Sequence, residues 1–524
     1  MFWPDKHLTA ISERFAKDIA AKRQLVIRDE KTASGRVHIG SMRGVAIHGL
    51  VSDVLKTQGL DVVFRYEIND FDPMDGIPAE LPAEEWGKYL GLPLNKVPSP
   101  DGIAENFAEF YAAEFKTVIA EAGFTPEYYR ASELYLSGRM NDVIKMAIER
   151  AEDIRRIYKD ISGSTKEGAW LPISMVCTQC GKVGTTQADA WDGTKVHYRC
   201  TKGPGGAEGC GFEGENEPWD GKAKLPWKVE WPAKWKVVGV DIEGAGKDHS
   251  TKGGARDVAN KIAQEVFGMT SPYDMPYEFF LDKDGKKMSS SKGRGVSSRE
   301  IADNFPPIIL RLALMGKDPV QQTSIDPEGE LLALLYDWHD KIAEKYWSGV
   351  ADDDARLFEL LYHGKPPERM YLPRFSVVTF VCQMTHLDPI VEFAALKEAT
   401  LTPDEERELT ERIIFAKRWL STYAPDKYKY ILQSTLPDMA ATLSDIQKLA
   451  LKEVFAFVEG RESVDGPTFH AALHDIKTRL NIPPKDFFAA LYIIFLGRDS
   501  GPQAGWFLST LDRAFLVKRL SEAV

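Results

Sequence analysis

"LVIRDEKTASGRVHIGSMRGVAIHGLVSDVLKTQGLDVVFRYEIND", Leu25 to Asp70, is the stretch whose reading decides the fold. It holds a β-branched run, "LVIRD", then a loop with Gly35 and Gly40. From about residue 41 to 57, Met42, Val45, Ala46, Gly49, Leu50 and Val54 fall on one face of a helix, and "DVVFRYEIND" follows as a second β-rich run. Strand, helix and strand in so short a span imply a right-handed crossover between parallel strands, so an α/β sheet starts here. Ligand sites on such sheets lie at the carboxyl ends of strands, which is where "KTASGRVHIGS" falls. Gly35 and Gly40 let the backbone come close to a ligand, and the helix beginning near Ser41 turns its free N–H groups and positive end toward the loop. That is a place for an anion, and His38 can donate to a phosphate oxygen there.

Upstream, "MFWPDKHLTAISERFAKDIAAKRQ" sets Phe2, Leu8, Ile11, Phe15 and Ile19 on roughly one face, the pattern of a surface helix rather than of a signal peptide. No run approaches the roughly 18 apolar residues of a membrane span, so a cytoplasmic location without membrane contact is the expectation. The 524 residues allow two to four domains, and 44% apolar with 27% charged residues is ordinary globular composition. A net charge of −12 works against nucleic-acid binding except through a local basic face.

Downstream, residues 71–236 read as an insertion with helices at about 103–122 and 138–158 and a cysteine-bearing segment. Sheet pattern resumes at "WKVVGVDIEG", read as a strand, and at "GGARDVANKIAQEVFG", where Val258, Ile262, Val266 and Phe267 form a buried stripe. "YEFFLDKDG" adds one short strand, and after about Asp326 only helical periodicity remains, over nearly 200 residues. Cys177, Cys180, Cys200 and Cys210 cluster in the C-x2-C…C-x9-C spacing of a zinc site. His197 is an alternative ligand, Cys382 reads as a core residue, and the absence of Cys and His from 70–110 limits the expectation to one metal site. "DGKKMSSSKG", Asp284 to Gly293, offers Lys286, Lys287 and Lys292 as mobile charges and Ser289 to Ser291 as donors, a phosphate-neutralising loop.

The two loops together resemble the "HIGH" and "KMSKS" signatures of class I aminoacyl-tRNA synthetases. The first reads His38-Ile39-Gly40-Ser41 and the second Lys287-Met288-Ser289-Ser290-Ser291 followed by Lys292, with serine at the last place of the first signature and at the second lysine of the second. Both departures are typical of one subgroup, the class I lysyl-tRNA synthetases. "NDFDPM" (Asn69 to Met74), "WPAKWKVVGVDIEGAGKDHSTKGGARD" and "GRDSGPQAG" are similar to further segments of that subgroup, so the resemblance spans nearly the whole chain. Where the subgroup commonly has glycine near position 30, this chain has Glu30.

The resemblance implies a Rossmann-like (HUP) parallel-sheet α/β catalytic domain at 1–70 and 237–282. A connective insertion at 71–236 carries a zinc ribbon at about 173–215, a stem-contact region covers 283–325, and an all-α anticodon-binding domain covers 326–524. It implies attachment of L-lysine to tRNA(Lys) through lysyl adenylate, with Mg2+ accompanying ATP and one structural Zn2+ on Cys177, Cys180, Cys200 and Cys210. His38, Lys287 and Lys292 are the expected catalytic residues. Ser34, Gly35, Gly40, Ser41, Asp248, His249, Met288 and Ser289 to Ser291 join them around ATP. Glu30, Thr32, Trp231, Asp241, Glu243, Asp248 and His249 are the expected lysine contacts, with Trp231 and Trp235 also readable as core. A class I synthetase of another specificity and a noncatalytic tRNA-binding descendant are the alternatives.

Overall fold

The computed structural model describes residues 1–166, 168–281, 296–384 and 387–524. The chain forms two units, Met1–Asp326 with Lys341–Pro367, and Pro327–Asp340 with Glu368–Val524.

In the first unit, β1 (Leu25–Thr32), α1 (Met42–Thr57) and β2 (Val62–Asn69) make the crossover expected from the sequence, and β1 pairs parallel with β2 from Leu25↔Val62 to Thr32↔Asn69. The helix is buried beyond its one predicted face: Ile47, His48, Val51 and Ser52 are also covered, because α1 packs on both strands and against helices Trp3–Arg14 and Pro307–Met315. Residues 71–236 contain more than an insertion. After α2 (Phe107–Glu121), started by Asn106 accepting from Glu109 N at 3.0 Å, the four-residue β3 (Glu127–Arg130) joins the sheet parallel to β2. So short and polar a strand carries no alternation to read. The helix expected at 138–158 is two, Asn141–Glu149 and Ala151–Ser162, parted at Arg150.

The cysteine-bearing segment folds as the antiparallel sheet β5 (Thr186–Trp191), β6 (Val196–Cys200) and β7 (Glu213–Asn216), with β4 (Ser174–Met175) paired to β8 (Ala223–Lys224). "WKVV", read as the start of a strand, is the last turn of helix α3 (Trp227–Val238), which stops at left-handed Gly239. Only beyond that glycine does the chain enter the sheet, where Ile242 bridges Ile27 on one side and Tyr273 on the other, both parallel, and Gly246 bridges Tyr277. The spatial order of the five parallel stretches is therefore third, second, first, fourth, fifth, the doubly wound arrangement whose crevice opens between the first and fourth. Helix α4 (Ala255–Glu265) buries Val258 and Ile262 as expected, and β9 (Phe280–Leu281) pairs with β10 (Thr323–Ser324).

The second unit is helical, with no strand among its described residues. Its longest helix, Pro403–Thr422, starts at a capping box of Thr402 and Glu405 and buries Arg412 on Asp340 at 2.5 Å. Cys382 is half-buried, and burial pushes its thiol up to about 11. Among the described residues no helix is long and apolar enough to cross a membrane.

Candidate active site

At the carboxyl end of β1 the chain passes Ser34 and Gly35 and enters a single tight turn, Ile39–Ser41, from which α1 springs. His38 stands just before the turn with extended backbone, and its carbonyl accepts from Ser41 N at 3.1 Å. A Cβ on Gly40 would lie 2.7 Å from two atoms of the His38 ring, so a larger residue there would push the imidazole aside. The imidazole thus lies over the turn. A cavity of about 220 Å³ opens beside it, lined by Glu30, His38, Gly40, Ser41, Gly246 and His249 among others. It sits in the switch-point crevice.

Lys287, Met288, Ser289, Ser290, Ser291 and Lys292 lie outside the described residues. The described residues on either side reach this site: Phe280 of β9 lines the cavity, and Val296 O accepts from Ile39 N at 3.1 Å while Ser298 N donates to Val37 O at 2.8 Å.

Beneath the cavity lies a charged network of unusual density. Arg28, wholly buried, donates to Tyr129 Oη (2.8 Å), Glu243 Oε1 (2.8 Å), Glu30 Oε2 (2.5 Å) and Glu67 Oε2 (2.8 Å). The Lys234 ammonium meets Glu67 Oε1 at 2.5 Å and Glu230 Oε2 at 3.1 Å, and Lys224 meets Glu230 Oε1 at 2.6 Å and Asp72 Oδ1 at 2.8 Å. Thr32 Oγ1 donates to the other oxygen of Asp72 at 2.7 Å. Burial opposes ionisation of Glu67, yet Lys234 and Arg28 hold its carboxyl down to about 2. At Glu30 burial wins and the carboxyl is raised, with Arg28 and Lys234 offsetting only part of it. Glu30, with its side chain 20% exposed, lines the cavity and is where the network meets it; the Lys234 ammonium lies 3.8 Å behind it.

The other residues named from sequence divide. His249, on the short helix Lys247–Ser250 with Asp248, packs 5.1 Å from the Trp227 ring and 6.2 Å from Trp231, at the cavity wall. Trp231 and Trp235 are buried and donate to the two oxygens of Glu243 at 2.7 and 2.8 Å. Arg256 stacks on both rings, at 5.3 and 4.7 Å. Glu243 is therefore occupied by three donors. Asp241 is not brought to the cavity: it sits beside Val26, accepting from Val26 N at 2.8 Å and from both terminal nitrogens of Arg23.

The ligand sulfurs of Cys177, Cys180, Cys200 and Cys210 lie within 4.8 Å of one another, with Cys177–Cys210 at 3.6 Å and Cys180–Cys200 at 3.7 Å. A tetrahedral ion with metal–sulfur bonds of about 2.3 Å separates its sulfurs by about 3.8 Å, so the four fit one metal ion. His197 is outside this group and bonds Asp189 at 2.5 Å and Glu213 at 3.2 Å.

Comparison with known proteins decides the family. The model for tRNA synthetases class I (K) matches residues 1–364. The chain belongs to that family. Relatives of this class I (K) chain include a lysine-tRNA ligase of Methanosarcina barkeri strain Fusaro, 31% identical over 513 residues covering 94% of this chain and 93% of the relative. The lysine-tRNA ligases of Thermoplasma volcanium (30%, covering 100% and 99%) and Pyrococcus furiosus (31%, covering 97% and 98%) are similar over the whole length.

For a class I (K) synthetase, sequence reading found the turn and the cysteines but missed the cations of the floor. Arg28 was a charge inside the strand "LVIRD", and Glu230 and Lys234 were a four-residue pair within a tryptophan-rich run. Each is a charge in an apolar setting, the signal that would have exposed it.

Proposed function

We infer that the protein attaches L-lysine to tRNA(Lys) in two steps, forming lysyl adenylate from ATP with release of pyrophosphate, then esterifying the terminal ribose of the tRNA with release of AMP. The family match over residues 1–364 carries this reading. The His38 turn at the switch point of the sheet supports it from the geometry. In the first step a carboxylate oxygen of lysine attacks the α-phosphorus in line and pyrophosphate leaves, so the protein's work is positioning and charge stabilisation.

His38 and the N–H groups opening α1 hold the phosphates, with Ser34, Gly35, Gly40 and Ser41 shaping the approach. Lys287, Lys292, Met288 and Ser289 to Ser291 take the pyrophosphate side. Mg2+ bound to ATP would supply further neutralisation of the phosphates. Asp248 and His249 face the nucleoside. Glu30 and Thr32 take the ammonium groups of lysine beside Trp231, while Glu243 orients Trp231 and Asp241 ties Arg23 to the sheet. The four cysteines hold one structural zinc ion. Residues 326–524 read the anticodon, 283–325 contact the acceptor stem, and the protein works in the cytoplasm.

Pyrophosphate exchange into ATP, run with each of the twenty amino acids, is expected with lysine alone. Exchange with arginine, cysteine or glutamate instead would reassign the specificity, and no exchange with any would overturn the activity.

A further inference from the structure

The cysteine-bearing segment reaches into the charged floor of the cavity. Its last strand, β8, is two residues long and pairs antiparallel with β4, Met175↔Ala223 and Ser174↔Lys224, just ahead of Cys177. Val176 N donates to Lys222 O at 2.8 Å, and Thr186 Oγ1 donates to Met175 O at 2.6 Å, so β8 is tied to the ribbon that holds the cysteines. This pairing delivers Lys224 to the interior, 4% exposed, between Asp72 and Glu230. A second tie runs through the knuckle loop: Val183 N and Gly184 N donate to Gly91 O at 2.8 and 3.0 Å, and Gly91 N donates to Met74 O at 2.8 Å. Both routes end on the segment that follows β2.

An ammonium so deeply buried stays charged only because two carboxylates face it; burial works to lower it, and Asp72 and Glu230 raise it. For stability alone, apolar side chains of similar volume would serve as well or better. What the lysine adds is orientation. Asp72, held on one oxygen by Lys224, presents the other to Thr32, and Glu230, held likewise, presents its second oxygen to Lys234, which in turn pairs with Glu67.

We propose that Lys224 is a positioning residue for lysine binding, contributed by the cysteine-bearing ribbon, which orients Asp72 with Thr32 and the Glu230–Lys234 pair behind Glu30 of the cavity lining, 3.8 Å from Lys234. The proposal rests on the reading that this pocket takes lysine. It makes amino-acid affinity depend on the integrity of the ribbon, while the phosphate turn, built on β1 and α1, does not.

The test uses the full-length protein and titrates pyrophosphate exchange separately in lysine and in ATP. Lys224→Met removes the charge, and Lys224→Gln keeps N–H donors and serves if the first variant does not fold. Either variant is expected to raise KM for lysine by about 10-fold or more, with KM for ATP changed less than about 2-fold. Cys210→Ser, which loosens the ribbon, should produce the same split, and adding it to the Lys224 variant should cost little more than the larger single change. The lysine-induced rise in Tm, a readout independent of turnover, should shrink in each variant. An unchanged KM for lysine in a folded Lys224 variant, equal rises in both KM values, or effects of Lys224 and Cys210 that multiply would each overturn the proposal. Wild-type exchange is the control: its absence with lysine overturns the assigned function, whereas its presence with unaffected variants overturns only the role of Lys224.

Discussion

Glu67 and Glu30 sit on adjacent strands of one sheet, paired in register and sharing Arg28, yet their protons behave oppositely. Glu67 has its folded value depressed to about 2 from 4.5, so the unfolded chain binds more protons in between. Its ionised form stabilises the fold fully above pH 4.5, and the contribution is lost as pH falls from there through about 2. Thermal melts from pH 7 downward should show Glu67→Gln with a lower Tm than wild type at pH 7, the gap closing below about 4.5. Glu30 is raised, so its ionisation at neutral pH opposes folding. Glu30→Gln should therefore raise Tm at pH 7 while weakening lysine binding, a trade of stability against function; a variant that lowers Tm would refute the assignment. At the turn before α1, His38→Ala is expected to slow lysine-dependent exchange by about 100-fold, near 2.7 kcal/mol of transition-state stabilisation. Near wild-type exchange would remove His38 from the mechanism. His38 was readable from sequence because its neighbours Gly40 and Ser41 made a local motif. Arg28 and Lys234 were not, because, besides the nearby Glu30 and Glu230, the carboxylates that hold them come from β2 and from beyond Gly239.

At the scale of elements, α1 is the piece on which the His38 turn depends. A Cβ on Gly44 would lie 2.5 Å from Asp29 Oδ2 and 2.9 Å from Tyr277 Oη, so a larger residue there would force these two side chains away from the first turn of α1. Gly44→Ala should destabilise the protein by about 1–3 kcal/mol in denaturant titrations, the usual range for overpacking. The ribbon is the other such element. Its strands are two to six residues long and its cysteine set fits one metal ion, so metal analysis should find one zinc ion per chain. A strong chelator should then lower Tm. Element types were legible where periodicity ran long, as in α1 and α4. "WKVVGVDIEG" misled because its first four residues close a helix that stops at Gly239, and "EYYR" went unread because a run of four residues carries no period and its state was set by pairing with β2.

At the scale of the whole chain, the boundary near Asp326 marks where strands end but not where the first unit ends. Residues 341–367 return to it, with helix Asp353–Leu361 burying Leu357 and Phe358, Arg356 meeting Asp5 at 3.1 Å and His363 meeting Asp53 at 3.1 Å. A chain ended at Pro367 should keep more lysine-dependent exchange than one ended at Asp326, and should lose tRNA charging. Equal exchange in the two would show that the returning segment adds nothing to the catalytic unit.

The sequence by itself determined the parallel α/β crossover, the glycine-bearing turn of His38 and Gly40, the four metal-spaced cysteines and the helical character beyond Asp326. These are local facts, written in periodicity, capping and short spacings that a few neighbouring residues suffice to specify. Only the tertiary structure decided that β3 completes the sheet, that Glu243 serves Trp231 and Trp235, and that Lys224 crosses from the ribbon to Asp72. A buried charge is tolerable only opposite its partners, and folding brings some of them, Asp72 to Lys224 and Glu67 to Lys234, from positions 150 or more residues apart.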